Sequence, residues 1–321
     1  MFWTDPIYQG YNRRVAELKA SSNPFAHGIA WMGGPDFVPI DEAKVPLQDP
    51  GFVKSDLTYD VPAVWDGRFF RLDDHLDRFE KSIAKLRLTN RLGRPGLRDK
   101  LVEMVAISGI RDAYVMMIVT RGLRYTRQTL PEDCVNHCHL MVTPYLWIMD
   151  EATLQKGGSA VIARNVRRIP SGAINATVKN LRWGDLTRGI QEARDRGAQY
   201  SILTDGDGNL TEGSGFNIVL VKDGKLYTPK CDVLEGVTRK SVLAVADKLG
   251  IPWVIDDLPV GQIYNVDELV LVTTAGGVMP ITRLDGEPVG DGRVGPLTRA
   301  LWKGYWDDHY DPAVSFPISY H

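Results

Sequence analysis

The apolar positions of this chain change period along its length, and each change marks an element. Leu72, Leu76, Phe79, Ile83 and Leu86 recur at spacings of four and three, one face of a helix that Asp73 or Asp74 can cap. Leu97 to Ser108 reads as a second helix, stopped near Gly109. Ahead of these, Asp60 to Trp65 reads as a strand. Asp66-Gly67 is a type I′ hairpin signal, and the chain returns through Arg68-Phe69-Phe70. Pro62 has no amide to donate, so this strand is expected at a sheet edge. Ala113 to Arg121 and His139 to Tyr145 are apolar, partly β-branched runs that read as strands. The first 50 or so residues are rich in Pro and Gly and predict a helix plus irregular chain.

The second half alternates more regularly. Strands are expected over Ser159 to Arg164, Tyr200 to Thr204, Phe216 to Val221, Lys225 to Tyr227, Trp253 to Ile255 and Glu268 to Thr273. A helix from Asn180 to Arg196 would carry Leu186, Ile190 and Ala193 on one face. Another, Thr238 to Leu249, would turn Val242, Val245, Ala246 and Leu249 inward and stop at Gly250. A terminal helix, Thr298 to Tyr310, carries Trp302 and Trp306. The expectation is a two-domain chain of mixed α/β class. Residues 1–144 form a small N-terminal α/β domain, 145–150 an interdomain loop, and 151–321 a larger C-terminal domain.

Composition narrows the function classes. With 44% hydrophobic and 24% charged residues, this is the profile of a soluble globular protein. A net charge of −2 and scattered basic residues argue against nucleic acid as a partner, and no apolar run is long enough to span a membrane. Three cysteines, Cys134, Cys138 and Cys231, are too few and odd in number for a disulfide framework. With no basic region and apolar run at the N-terminus, a reducing cytoplasm is expected.

Three blocks carry candidate chemistry. Lys179 lies among short polar residues in Thr177-Val178-Lys179-Asn180-Leu181. Glu212 opens Glu212-Gly213-Ser214-Gly215-Phe216-Asn217, where two glycines and a serine replace the bulk of an ordinary strand. Leu234-Glu235-Gly236-Val237-Thr238-Arg239 precedes a helix whose first amides suit a phosphate. An amine, an acid and a phosphate cup are what pyridoxal 5'-phosphate (PLP) requires. Each residue alone has an ordinary reading: a solvated lysine, a glutamate near a turn, a capped helix. Other motifs fail. Asp205, Asp207 and Asn209 begin like a calcium loop, but Leu210 and Phe216 stand where Gly and Glu are needed. His137 and His139 point to one face of a strand and Cys138 to the other, so no metal site is expected from Cys134, His137, Cys138 and His139. Neither Ser171 nor Ser214 lies in a nucleophile elbow.

In this order the blocks resemble the class IV, branched-chain or D-amino-acid type, aminotransferase family of PLP enzymes. Thr273-Thr274-Ala275-Gly276-Gly277 continues the likeness, and Ser55 to Asp60 and Trp65 to Leu76 extend it backward. Within the family, Ser55 to Val61, Val178 to Leu186 and Thr273 to Pro280 are most similar to (R)-selective amine transaminases. The resemblance implies fold type IV, a small α/β domain and a larger barrel-like domain with PLP between them. It also implies a homodimer in which the partner's loop helps close each pocket. The substrates implied are a primary amine or D-alanine as donor and a keto acid or ketone as acceptor.

Residue by residue, the resemblance implies that Lys179 holds PLP as an aldimine and moves the proton. Arg78 binds the phosphate, with backbone amides of Val237 and Thr238 and further contact from Thr273 and Thr274. Glu212 pairs with the pyridine nitrogen, and Leu234 packs on the ring. Tyr59, Tyr114, Met116 and Trp183 become pocket walls. Arg127 matches an arginine that binds a keto acid's carboxylate and swings aside for apolar amines. Lys54 stands where a histidine is common, Met116 where a carboxylate can occur, and Val219 where the wider family has an aromatic. The first two bear on substrate range. A D-amino-acid or branched-chain aminotransferase of the same fold is the main alternative, followed by a PLP-dependent lyase and a non-enzymatic homologue.

Overall fold

Two sheets organise the chain in the computed structural model, which describes residues 3–124 and 130–320. Contacts gather it into two units. One comprises Tyr8–Leu146, Val178–Leu181 and His309–His321; the other comprises Met1–Ile7, Trp147–Thr177 and Arg182–Asp308. They are called here the N-terminal and C-terminal units.

The N-terminal unit is built on an antiparallel sheet. Its hydrogen-bonded order is Ser315–Pro317, Arg68–Phe70, Ala63–Trp65, Ala113–Leu123, Val135–Pro144, Ile29–Trp31, Phe37–Pro39. Leu57–Asp60 also pairs with the long strand Ala113–Leu123. The single strand expected over Asp60 to Trp65 is therefore two, broken at Val61-Pro62. Pro62 falls in the break, where no ladder bond is required of it, and its carbonyl accepts from the Val115 amide at 3.0 Å. Ala63–Trp65 is consequently flanked on both sides rather than lying at an edge. Asp66 and Gly67 have φ of 48° and 71°, as a type I′ turn requires.

The helix Leu72–Lys85 buries Leu72, Leu76, Phe79 and Ile83 against Leu97, Leu101 and Met104 of the helix Gly93–Ser108 and against the sheet. Each such buried side chain contributes roughly 1.5–3 kcal/mol. Neither aspartate caps this helix. Arg71 occupies the N-cap with φ 48°, and Asp74 accepts from its guanidinium at 2.9 Å instead. Gly122, at φ 76°, sits beside a register shift in the long strand. A Cβ there would lie 1.7 Å from the Val135 carbonyl oxygen. Gly122→Ala should therefore lower stability by about 3 kcal/mol in a denaturant melt, whereas an open position such as Gly172 should tolerate alanine.

The C-terminal unit has strands in the order Leu210–Gly213, Tyr200–Thr204, Gly158–Ile162, Gly277–Leu284, Glu268–Thr273, Asn217–Lys222, Lys225–Pro229, Trp253–Asp256. The ends of this ladder meet. The Leu210 amide donates to the Leu258 carbonyl at 2.7 Å, and the Val260 amide to that of Gly208 at 2.9 Å. The sheet is thus barrel-like. The helices Gly184–Asp195, Val237–Lys248 and Pro296–Asp307 belong to this unit. The first begins at Gly184, not Asn180. Leu249, expected inward, ends the second as its C-cap and is 50% exposed. Among the described residues no helix is long and apolar enough to cross a membrane.

The units are not consecutive, as one boundary at 145–150 would make them. Residues 178–181 return to the N-terminal unit because the Thr58 hydroxyl and Tyr59 amide both donate to the Lys179 carbonyl, at 2.7 and 3.1 Å. The C-terminal tail returns because Ser315–Pro317 pairs with Arg68–Phe70.

Candidate active site

Two clusters of buried polar groups stand out, one in each unit. In the N-terminal unit, Asp60 ends the strand Leu57–Asp60 and is fully buried. Arg78 reaches both its oxygens, Nε to Oδ2 and Nη2 to Oδ1, each at 2.7 Å. His75 Nδ1 meets Oδ1 at 2.7 Å, and the Val61 amide donates to the same oxygen. His75 and Arg78 are three residues apart on one helix, hence neighbours on one face. Burial alone would raise the Asp60 carboxyl, but Arg78 and His75 outweigh it and hold it well below the usual carboxylate range. Burial dominates at His75 and lowers its imidazole, against the pull of Asp60 and with added repulsion from Arg78 and Lys179. His75 is thus neutral near pH 7, with Nδ1–H donating to Asp60.

This has a consequence for stability. The unfolded chain takes up a proton at His75 near pH 6.5, above the folded value. Stability from neutral His75 is present above that pH and lost as pH falls below it. Asp60 contributes above about pH 3.8, and its share is lost as pH falls further. A plot of unfolding free energy against pH should decline in two stages on acidification. His75→Asn should remove the upper stage only; an undiminished upper stage would assign it to another group.

Lys179 lies on this cluster. Its backbone is pinned by Thr58 and Tyr59, and Nζ sits over the Tyr59 ring, 4.7 Å from the centroid. Tyr59 packs with Leu57 and Val61, and Tyr114, Met116 and Ile118 pack against them. Those three lie two apart on one strand and so share a face. Burial raises the Tyr114 hydroxyl, while the charge of Lys179 acts in the opposite sense.

In the C-terminal unit the cluster forms around Glu212, which is 5% exposed. Oε1 accepts from Arg168 Nη2 at 3.0 Å and Nε at 3.2 Å. Oε2 accepts from Asn217 Nδ2 at 3.0 Å and the Leu234 amide at 2.9 Å. Arg168 also donates to Asp185 at 2.6 Å. Burial opposes its charge, but Glu212 and Asp185 together raise Arg168 further. Asn217 is itself fixed by the Leu234 carbonyl at 2.9 Å. A Cβ at Gly236 would lie 1.9 Å from Asn217 Oδ1, so only glycine lets the chain pass there. Gly236 gives the next helix no side-chain cap, and Val237 and Thr238, both buried, open it. Thr273 is buried and Thr274 half-buried at the end of a neighbouring strand; the backbone then turns through Gly276 and Gly277.

The N-terminal unit thus holds Lys179, Arg78, Tyr59, Tyr114 and Met116 together. Glu212, Leu234, Val237, Thr238, Thr273 and Thr274 belong to the C-terminal unit, as does Trp183, packed on Ala163, Val166, Leu186 and Leu203. Lys54 is exposed at the end of the helix Pro50–Lys54. Arg127 lies outside the described residues. Sequence reasoning gave no role to Asp60, His75, Arg168, Asp185 or Asn217. The spacing of His75 and Arg78 was a usable signal for the first pair. Arg168 is 44 residues from Glu212 and gave none.

The residues fit the cofactor that the resemblance implies. Glu212 is a buried carboxylate paired with Arg168 at 3.0 Å, a group able to face a protonated ring nitrogen. A helix start without a side-chain cap suits a phosphate.

Comparison with known proteins agrees. The family profile described as amino-transferase class IV matches residues 58–284. D-alanine aminotransferase of Listeria monocytogenes is 31% identical over 264 residues, 81% of this chain and 89% of the relative. A putative branched-chain-amino-acid aminotransferase of Methanocaldococcus jannaschii is 30% identical over 276 residues, 84% of this chain and 93% of the relative. The crystal structure of branched-chain aminotransferase from Thermoproteus uzoniensis with norvaline superposes with a TM-score of 0.82. It is 25% identical and covers 91% of this chain and 99% of its own.

Proposed function

Because the chain belongs to the class IV aminotransferase family, and is therefore a PLP-dependent aminotransferase, we propose that its reaction is (R)-selective amine transamination. A primary amine or D-alanine donates the amino group, and a keto acid or ketone accepts it. The observation that carries this reading is the surroundings of Lys179: two tyrosines and a methionine, Tyr59, Tyr114 and Met116, suited to an apolar or aromatic substituent.

When bound, PLP supplies an electron sink for the substrate carbon and stores the amino group between half-reactions. The protein supplies the rest. Lys179 would anchor the cofactor through Nζ and would carry the proton at the reacting carbon. Its backbone is held by two hydrogen bonds, so the side chain moves from a fixed base. Glu212 would pair with the ring nitrogen and favour its protonated form, and Arg168 and Asn217 orient Glu212. Arg78 and the amides of Val237 and Thr238 would hold the phosphate, and Thr273 and Thr274 would add to that contact. Asp60 fixes the plane of Arg78. Leu234 would pack on the ring, and Trp183 and Lys54 would bear on substrate range.

D-alanine transamination as the main activity is the second reading, favoured by relatives that carry that name. D-alanine has the (R) configuration, so both readings present the same face of the substrate carbon. Single-turnover absorbance with (R)-1-phenylethylamine, (S)-1-phenylethylamine, D-alanine and L-leucine separates the cases. The (R)-amine and D-alanine should react and the other two should not. Reaction with D-alanine alone would select the second reading, and preference for L-leucine would overturn both.

A further inference from the structure

Outside the proposed active site, one group of side chains in the N-terminal unit has the composition of a metal-ligand set. Asp49, His137 and His139 bring one carboxylate oxygen and two imidazole nitrogens within 4.8 Å of one another. His137 and His139 lie two apart on the strand Val135–Pro144 and so share a face. Asp49 comes from the N-cap of the helix Pro50–Lys54. We propose that Asp49, His137 and His139 bind a borderline divalent transition ion of the zinc class.

Three observations support it. First, His139 is 7% exposed, and among the described residues neither ring nitrogen has a hydrogen-bond partner. A buried polar atom left unpaired is destabilising, so a ligand there satisfies an existing deficit. Second, the carboxylate is already oriented. Asp49 Oδ1 accepts from the amides of Gly51 at 2.7 Å and Gly122 at 3.1 Å, and Thr120 Oγ1 donates to Oδ2 at 2.5 Å. Such outer contacts fix ligand geometry in metal sites. Third, His137 Nδ1 stands 3.2 Å from Asp49 Oδ2 with its side chain 21% exposed, which leaves a route for an ion. The ion takes the place of the hydrogen in that contact, and the imidazole carries its N–H on Nε2. Two imidazoles and one carboxylate select zinc-class ions over magnesium or calcium. Cys138 takes no part: it is buried in the core of the N-terminal unit.

The test uses holoenzyme stripped with a chelator, then dialysed against Zn2+ with metal analysis. His137→Gln, His139→Gln and a Cys134→Ser/Cys231→Ser double variant are compared with wild type, with circular dichroism and retained PLP as checks on folding. Wild type and the cysteine variant should bind one Zn2+ per chain. Each histidine variant should lose about 100-fold or more in affinity. Co2+ should give a d–d spectrum without a thiolate band, in wild type itself, so the test does not depend on any variant folding. Zn2+ should raise the melting temperature of wild type but of neither histidine variant. Absence of stoichiometric binding, equal affinity in the histidine variants, or loss in the cysteine variant would overturn the site.

Discussion

Lys179→Ala should leave the protein folded and lower turnover by roughly 10,000-fold, the range expected when a positioned proton carrier is removed. Lys179 sits at the edge of a cluster that does not depend on its side chain. Asp60, His75, Arg78 and Val61 satisfy one another, and the bonds that fix the 178–181 segment use the Lys179 carbonyl. The melting temperature should therefore move little, while the covalent link to the cofactor disappears. Borohydride reduction of the wild type followed by peptide mapping should place the cofactor on Lys179. Recovery of the label at a different lysine would remove it from the centre of the chemistry.

Glu212→Gln should slow the half-reaction with amine donor by about 100- to 1000-fold while PLP stays bound. The amide loses the negative charge that favours a protonated ring nitrogen. It also leaves Arg168, which spans Glu212 and Asp185, with Asp185 as its one anionic partner among the described residues. Arg168→Met tests the second part. It keeps the carboxylate but removes its orientation, so the donor half-reaction should slow less than in Glu212→Gln, with the ring's absorbance profile against pH displaced. If Glu212→Gln reacted at the wild-type rate, the carboxylate would be a structural group rather than the partner of the ring.

Much of the fold was legible where a signal was local. Asp66-Gly67 needs positive φ at both positions, and the helix Leu72–Lys85 needs one apolar face; both are written in a few adjacent residues. Strands of three or four residues, such as Ile29–Trp31, Leu210–Gly213 and Ser315–Pro317, are too short to show a period and exist because distant partners pair with them. Pro62 was misread because a missing amide marks a break between strands as readily as an edge. At the candidate site, motif blocks pointed to Lys179 and Glu212. The side chains that hold Glu212 were hidden, because Arg168 meets it across 44 residues. Asp49 is likewise 88 residues from His137, so no spacing rule joins them.

The pairing of Ser315–Pro317 with Arg68–Phe70 bears on how the protein is made. Phe70 leaves the ribosome about 245 residues before Ser315, which at roughly 5–20 residues per second is a wait of ~10–50 s. The segment that carries Lys179 reaches Thr58 and Tyr59 well before that. During biosynthesis the lysine can therefore be seated while the strand Arg68–Phe70 still has one open edge, and that edge closes only once Ser315–Pro317 has emerged.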